Sequence, residues 1–125
     1  MGKRVLVVDD DPGIRGALQA ALELENYEVD IANNGLVALE KLTGENAFPD
    51  LLLLDFMMPQ MDGHGLMVEL QKRGWHKSFP ILLISADTQA KQKMKDMPIR
   101  GFIGKPFELT TFLNKVAELL TLKCF

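Results

Sequence analysis

The chain has 125 residues, of which 47% are apolar types, and its formal net charge is −3. This length corresponds to one globular domain, and the apolar content excludes an intrinsically disordered chain because it can fill a core. The excess of 17 acidic over 14 basic residues excludes a basic nucleic-acid footprint over the whole domain, and the single cysteine, Cys124, excludes an intrachain disulfide.

The first half of the chain alternates apolar runs with segments of helical periodicity. Residues 4–8 are apolar and β-forming on successive positions, which predicts a strand covered on both faces. A first helix is predicted after Asp11 and Pro12, because a capping residue here precedes a proline at the first helical position. Alternation over residues 27–32 predicts a second strand, and a second helix is predicted from Leu36 to near Gly44.

The second half continues this alternation. Apolar runs predict three further strands and helical periodicity predicts two further helices: the strands span residues 50–54, 80–84 and 101–103, and the helices span residues 64–73 and 109–120. Residues 88–96 are polar and only weakly periodic, and a fourth helix is predicted there between the fourth and fifth strands.

Five successive strand–helix units indicate an α/β fold with a parallel sheet and helices on both of its faces. Right-handed crossovers favour a flavodoxin-like, doubly wound (βα)5 arrangement with strand order 2-1-3-4-5. In this order the first and third strands are neighbours, and ligands bind at the carboxyl ends of the strands, where the chain reverses direction.

Polar residues follow the predicted strands at this edge of the sheet. Asp9 and Asp10 follow the first strand, Asp55 the third, Ser85 the fourth and Lys105 the fifth. Carboxylates brought together repel one another and stay ionised only if a cation compensates them. Oxygen ligands without nearby histidine or cysteine favour Mg²⁺, or alternatively Mn²⁺, over Zn²⁺.

A metal of this kind commonly also meets phosphate oxygens, and the remaining residues fit such a group. Lys105 can neutralise phosphate charge, and Ser85 can donate a hydrogen bond to a phosphate oxygen. Asp55 is the predicted acceptor of a phosphoryl group, as a carboxylate nucleophile. Catalysis of phosphoryl transfer at such a site consists mainly of positioning the reacting groups and neutralising phosphate charge with the metal and the lysine.

Four pieces of sequence at the strand ends occur in an order found in a known family. They are Val7-Val8-Asp9-Asp10-Asp11-Pro12, Leu54-Asp55-Phe56-Met57-Met58-Pro59 with Met61-Asp62-Gly63, Ile84-Ser85-Ala86, and Lys105-Pro106-Phe107. With these pieces, the chain resembles over essentially its whole length the receiver domain of bacterial two-component response regulators.

The resemblance implies a phosphorylation site with a bound metal ion. Asp55 would accept a phosphoryl group from a histidine kinase, a phosphotransfer protein or a small phosphodonor. Asp10 and Asp55 would bind Mg²⁺ directly, Asp9 would act through a metal-bound water, and the backbone carbonyl of Met57 would supply another ligand.

The resemblance also implies a conformational switch. The Ser85 hydroxyl would move towards the phosphate, Lys105 would pair with it, and the Lys105-Pro106 peptide would be cis. Phe102 falls on the aromatic switch position of the family. The face formed by the fourth helix, the fifth strand and the last helix would then change, altering partner binding or a receiver homodimer.

The sequence departs from the family pattern between Ser85 and Lys105. This stretch is slightly shorter than is usual, and Arg100-Gly101 replaces the common Gly-Ala before the switch aromatic. Phe102 lacks the hydroxyl of the commoner tyrosine. Asp87, two residues after Ser85, is expected near the mouth of the pocket, where it could influence the loss of phosphate.

Two other functions are compatible with parts of the sequence. A Mg²⁺-dependent phosphatase of the haloacid dehalogenase type would use Asp9 as its nucleophile, but the chain is short for such an enzyme and offers no cap domain. An interaction module that is never phosphorylated is disfavoured because the five expected pocket residues are all present.

Location and domain organisation follow from the same sequence. No apolar run reaches the ~20 residues of a membrane span, and the short run before Asp9 does not fit a secretory signal. We therefore expect a cytoplasmic protein that binds neither membrane nor, through this domain, nucleic acid. Residues 1–125 are expected to form a single receiver domain, with no output domain in this chain.

Overall fold

The computed structural model describes residues 2–44, 48–58, 61–87 and 89–121. The strands are β1 (Arg4–Val8), β2 (Glu28–Ala32), β3 (Leu51–Asp55), β4 (Ile81–Ser85) and β5 (Gly101–Gly104). The helices are α1 (Pro12–Leu24), α2 (Gly35–Leu42), α3 (Gly63–Lys72), α4 (Ala90–Lys93) and α5 (Leu109–Thr121). Of the residues named above, Pro59 and Cys124 lie outside the described residues, as does residue 88 at the start of the predicted fourth helix.

The five strands form one parallel sheet in the order β2-β1-β3-β4-β5, which confirms the predicted fold and strand order. Val8 at the end of β1 is in register with Leu54, the residue before Asp55. Ser85 at the end of β4 is in register with Gly104, the residue before Lys105. The register therefore brings the polar residues of four strands to the same edge.

Two apolar layers cover the faces of the sheet, and β3 contributes to both. Leu52 and Leu54 belong to a cluster with α2, α3 and α4, while Leu51 and Leu53 belong to a cluster with α1 and α5. All five residues of β3 are buried, which explains its uninterrupted apolar run. Each fully buried leucine contributes roughly 1.5–3 kcal/mol. The site at the end of β3 thus rests on a strand that is buried along its whole length.

Side-chain caps fix the helices that begin near the carboxyl edge. Asp11 accepts hydrogen bonds from the backbone N–H groups of Gly13 at 2.9 Å and Ile14 at 3.3 Å, as its predicted capping role requires. Asp62 caps α3 in the same way, accepting from the N–H of Gly65 at 2.8 Å. The side chains of these two aspartates thus stabilise helix starts.

The fourth helix differs most from its prediction. The sequence predicts it over residues 88–96, but α4 spans only Ala90–Lys93. Ala90 and Met94 are fully buried, so the segment has apolar anchors for about one turn. Beyond them, Pro98 disfavours a helical conformation at the residue before it. A short 3₁₀ helix over Trp75–Lys77, which the sequence did not predict, precedes β4.

Within the described residues, no helix combines the length and the apolar character needed to cross a membrane.

Candidate functional site

The strand ends bring three carboxylates together. One oxygen from each of Asp9, Asp10 and Asp55 lies within 4.8 Å of the others. Asp9 and Asp10 follow β1, and Asp55 is the last residue of β3 rather than the first residue after it. Because β1 and β3 are adjacent, the predicted clustering of these acids follows from the strand order.

Asp9 is buried and hydrogen bonded through all of its polar groups. Its N–H donates to the carbonyl of Ala32 at 3.1 Å, and its own carbonyl accepts from Nη1 of Arg15 at 2.9 Å. Its carboxylate accepts from the N–H of Asp11 at 2.9 Å and from Nζ of Lys105 at 3.1 Å. Asp9 therefore has one fixed position, in contrast to the neighbouring Asp10, which is exposed.

Asp55 is buried, with 5% of its surface exposed. Burial raises the pKa of its carboxyl group from 3.8 to about 7, and the nearby charges of Asp9 and, more weakly, Asp10 act in the same direction. Lys105 and the N–H of Met57, which donates to Oδ1 of Asp55 at 3.3 Å, partly oppose this rise in the pKa. Burial and the neighbouring acids thus favour the protonated form of Asp55, and added positive charge would favour its carboxylate form.

Lys105 supplies the cation that faces the acids. Its Nζ lies 3.1 Å from Oδ2 of Asp9 and 3.6 Å from Oδ1 of Asp55. Its backbone N–H donates to the carbonyl of Ser85 at 2.8 Å, which fixes the start of the segment after β5. The peptide between Lys105 and Pro106 is cis, as the resemblance implied.

Ser85 is the last residue of β4 and is almost completely buried. Its Oγ accepts a hydrogen bond from the backbone N–H of Asp87 at 2.9 Å. The carboxylate of Asp87 accepts from the N–H of Gln89 at 2.8 Å and from Nζ of Lys93 at 3.1 Å. These two contacts lower the pKa of the Asp87 carboxyl group, the Gln89 N–H most strongly.

The two remaining predicted residues, Met57 and Phe102, follow β3 and lie on β5, respectively. Met57 is two residues from Asp55, with an exposed side chain. Phe102 lies on β5, in register with Leu83, and is half-buried against the apolar cluster that includes α2, α3 and α4. Phe102 therefore links the sheet to the face on which the short α4 packs.

Arg15 and Lys93 contact the site, and sequence reasoning missed both. Arg15 lies one helical turn after the cap Asp11, and this spacing could have placed it above the end of β1. Lys93 lies six residues after Asp87 on the poorly predicted α4. No sequence signal distinguishes it from the neighbouring lysines.

The cluster has the donor chemistry of a site for a hard divalent cation. The group consists of carboxylates alone, and its oxygens are close enough to share one ion. Among the described residues, the ammonium of Lys105 pairs with Asp9 and Asp55, and an added cation would offset the remaining repulsion among the three acids. It would also favour the ionised form of Asp55. The residues present therefore fit Mg²⁺.

Comparison with known proteins agrees with this architecture. The family model described as "Response regulator receiver domain" matches residues 5–117. The response regulator MprA of Mycobacterium tuberculosis is 36% identical over 122 residues, which cover 96% of this chain and 51% of that protein. MprA of Mycobacterium leprae is 34% identical over 94% of this chain and 50% of its own length. The chain thus spans about half the length of these curated relatives.

Solved structures resemble the fold over nearly the whole chain. The chemotaxis protein CheY4 of Vibrio cholerae superimposes with a TM-score of 0.85 and 30% identity, covering 95% of this chain and 99% of that one. The response regulator TrrA of Thermotoga maritima, solved in complex with Mg²⁺ and BeF, gives a TM-score of 0.82 and 34% identity over 94% of this chain and 98% of TrrA. Together with the match of the family model, these similarities show that the chain belongs to the response regulator receiver domain family of two-component systems.

Proposed function

We propose that this receiver domain accepts a phosphoryl group on Asp55 from a histidine kinase, a phosphotransfer protein or a small phosphodonor. The observation that carries this proposal is the buried carboxylate of Asp55, grouped with Asp9 and Asp10 and facing the ammonium of Lys105 at 3.6 Å. The domain acts as a signalling module, and the chemistry it catalyses is limited to gain and loss of its own phosphoryl group.

In the transfer step, a carboxylate oxygen of Asp55 attacks the phosphorus atom and forms a P–O bond. The bond from phosphorus to the donor nitrogen, or to the acyl oxygen of a small donor, breaks, and the leaving group keeps that electron pair. Lys105 neutralises charge on a phosphoryl oxygen, and the Ser85 hydroxyl donates a hydrogen bond to another. Positioning and charge neutralisation thus supply the rate enhancement.

The residues that would hold Mg²⁺ are Asp10 and Asp55 directly, Asp9 through a water, and the backbone carbonyl of Met57. A bound Mg²⁺ would neutralise charge on the carboxylates and on the incoming phosphoryl oxygens. The indirect role of Asp9 is supported by its carboxylate oxygens, which are already bonded to Asp11 and Lys105. Asp10 is exposed and can turn towards an ion.

The proposed switch runs from Ser85 to Phe102. Movement of the Ser85 hydroxyl towards the phosphoryl group would change the packing beneath α4, and Phe102 would turn inward. The face formed by α4, β5 and α5 would then change shape and alter the binding of a partner or a second receiver. Phosphorylation would shift an existing equilibrium between these states.

An apolar groove beside Lys105 supports a protein as the main phosphoryl donor. It has a volume of about 560 Å³ and its lining includes Ile14 and Ala17 of α1 together with Phe107 and Leu109. A small phosphodonor would leave this apolar surface uncovered, whereas a donor protein would bury it while presenting its phosphohistidine to Asp55.

In this proposal residues 1–125 form one receiver domain that acts in the cytoplasm. The net charge of −3 supports a domain that itself binds neither nucleic acid nor an anionic membrane surface.

The decisive experiment is intact-protein mass spectrometry after incubation with acetyl phosphate and Mg²⁺, and then with a panel of histidine kinases. The wild-type chain should gain one acid-labile phosphoryl group, and Asp55→Asn should gain none. Asp11→Asn is the matched control, because asparagine also caps helices well and Asp11 lies outside the proposed site. Phosphorylation of Asp55→Asn at the wild-type level would contradict the assignment.

The phosphatase alternative would require Asp9 to be the nucleophile. Both carboxylate oxygens of Asp9 already accept hydrogen bonds, from the N–H of Asp11 and from Nζ of Lys105, and this argues against that role because an attacking oxygen would have to lose its partner. Turnover of a phosphomonoester at catalytic protein levels would favour the alternative.

A further inference from the structure

A chain of contacts links the hydroxyl of Ser85 to α4. Ser85 Oγ accepts from the N–H of Asp87 at 2.9 Å, and the carboxylate of Asp87 accepts from Nζ of Lys93 at 3.1 Å. The same carboxylate accepts from the N–H of Gln89, just before α4 begins. Asp87 therefore contacts the predicted switch residue Ser85 through its backbone N–H, and it contacts α4 through its carboxylate.

Lys93 also reaches the neighbouring strand end. Its Nζ lies 5.7 Å from the ring centroid of Phe56, a distance at which an ammonium interacts with an aromatic face. Phe56 directly follows Asp55, and its N–H donates to the carbonyl of Ile84 at 3.0 Å. Lys93 thus bridges the residues that follow β3 and β4, on either side of the site.

Contacts with the core and with the backbone also hold this region: Met94 is fully buried, and the N–H of Ala90 donates to the carbonyl of Asp87 at 3.1 Å. The helix α4 comprises only Ala90–Lys93, and Ala90 is its single buried residue. The neighbouring Lys91 is exposed and lines a separate cavity with Met94 and Ile99. The ion pair between Lys93 and Asp87 is therefore one of a small set of contacts between this short helix and the residues after β4, and it joins α4 to the side chain of Asp87.

We propose that Lys93 is a positioning residue that restrains Ser85 through its ion pair with Asp87. This proposal rests on the function proposed above for Asp55. While the pair is intact, the Asp87 N–H stays on Ser85 Oγ and the hydroxyl keeps its unphosphorylated position. Movement of Ser85 towards a phosphoryl group displaces Asp87 and breaks the pair. Lys93 thereby biases the equilibrium towards the unphosphorylated arrangement.

The size of this bias follows from the exposure of the pair. The Lys93 side chain is 51% exposed and that of Asp87 is 20% exposed, so solvent weakens their attraction. Partly exposed pairs of this kind shift equilibria by roughly two- to fivefold. Removing the pair should therefore tighten the binding of a phosphoryl analogue by that factor.

The test is a double-mutant cycle with beryllofluoride and Mg²⁺, which stand in for the phosphoryl group, measured by calorimetry on the full chain. Lys93→Gln and Asp87→Asn should each bind the analogue roughly two- to fivefold more tightly than wild type. In the Asp87→Asn background, Lys93→Gln should cause no further change, because the restraint is already lost. Lys93→Arg should keep wild-type affinity, and Lys91→Gln is the matched control that changes nothing.

Raised salt provides a second measurement on the same proteins. Screening of the pair at about 1 M salt should remove the difference between wild type and Lys93→Gln. Unchanged or weakened affinity of Lys93→Gln would overturn the role of Lys93, and equal changes in both backgrounds would instead show that its charge acts directly on the analogue. Complete failure of the wild-type chain to bind beryllofluoride would overturn the function proposed for Asp55 itself.

Discussion

The Nζ of Lys105 donates a hydrogen bond to Oδ2 of Asp9 at 3.1 Å, although 96 residues separate these two residues in the chain. The same ammonium lies 3.6 Å from Asp55. One cation at the end of β5 therefore balances two buried carboxylates at the ends of β1 and β3. Because these strands are not neighbours of β5, the contact depends on the whole sheet being assembled.

Replacing Lys105 by methionine should leave these carboxylates without their cation while keeping the apolar stem of the side chain. Removing one partner of a buried ion pair costs several kcal/mol, and since Lys105 is near the surface we expect a loss of about 1–3 kcal/mol in unfolding free energy. Urea denaturation at pH 8 in EDTA measures this. Added Mg²⁺ should restore part of the loss, because it also neutralises the cluster.

Lys115→Met is the control for this variant. Lys115 pairs with Glu118 at 3.6 Å on α5, and the Glu118 side chain is 61% exposed, so such a pair contributes about 0–1 kcal/mol. An equally small change for both variants would show that the carboxylates do not depend on Lys105.

The raised pKa of Asp55 predicts that Mg²⁺ binding releases a proton. Because the metal binds the carboxylate form and the pKa is about 7, the apparent affinity should increase about tenfold per pH unit below 7 and level off above it. Calorimetric titration with MgCl₂ from pH 5.5 to 8.5 measures this dependence. Affinity that stays constant over this range would contradict a protonated Asp55 in the metal-free protein.

The strand order and the acidic cluster could be predicted because both depend on short-range patterns. The apolar run 51–54 predicts a buried strand, and parallel topology then places Asp55 beside Asp9 and Asp10. The cluster therefore follows from secondary structure and crossover rules, without knowledge of any side-chain conformation.

Contacts of long polar side chains could not be predicted in this way. Arg15 and Lys93 reach the site only because helix orientation and the tertiary fold place them there. The early end of α4 could not be predicted either: Met94, which directly follows the helix, is buried in the core, and tertiary packing of this kind competes with local helix propensity. Asp55 and Ser85 are the last residues of β3 and β4 rather than the first residues after these strands, because hydrogen bonding between the strands extends to them.

Stability should depend on pH through Asp55 in the absence of metal. The folded-state pKa of about 7 is raised above the ordinary value of 3.8, so the folded protein binds more protons than the unfolded chain between these pH values. The contribution of Asp55 to the unfolding free energy therefore falls as the pH rises from about 4 to 7. Asparagine at position 55 cannot ionise, so the unfolding free energy of Asp55→Asn should not decrease in this way.

The variant Asp55→Asn should accordingly exceed wild type by about 1–4 kcal/mol in unfolding free energy at pH 8 in EDTA. The difference should disappear near pH 4, where the wild-type carboxyl is protonated in the folded state. Urea denaturation at both pH values tests this, and a variant less stable than wild type at pH 8 would contradict it.

Gly63 at the start of α3 packs directly against the backbone of the site. A Cβ at this position would lie 2.9 Å from Cα of Phe56 and 3.0 Å from the carbonyl oxygen of Asp55. The Gly63 N–H also donates to the carbonyl of Phe56 at 2.9 Å, so the helix cannot easily move away. Gly63→Ala should therefore destabilise the fold by about 1–3 kcal/mol and slow phosphorylation of Asp55.

Gly16→Ala provides the matched comparison, since Gly16 lies within α1 and a Cβ there would meet no heavy atom within 4 Å. Alanine lowers the backbone entropy of the unfolded chain, so this variant should be more stable by about 0.5–1 kcal/mol. The same glycine-to-alanine substitution should thus lower the unfolding free energy at Gly63 and raise it at Gly16. The difference comes from the backbone of Asp55 and Phe56, which lies against Gly63 only. The denaturation midpoints and phosphorylation rates of both variants measure this difference. A denaturation midpoint that rises for both variants would show that α3 can move away from the end of β3 to accommodate the added methyl group.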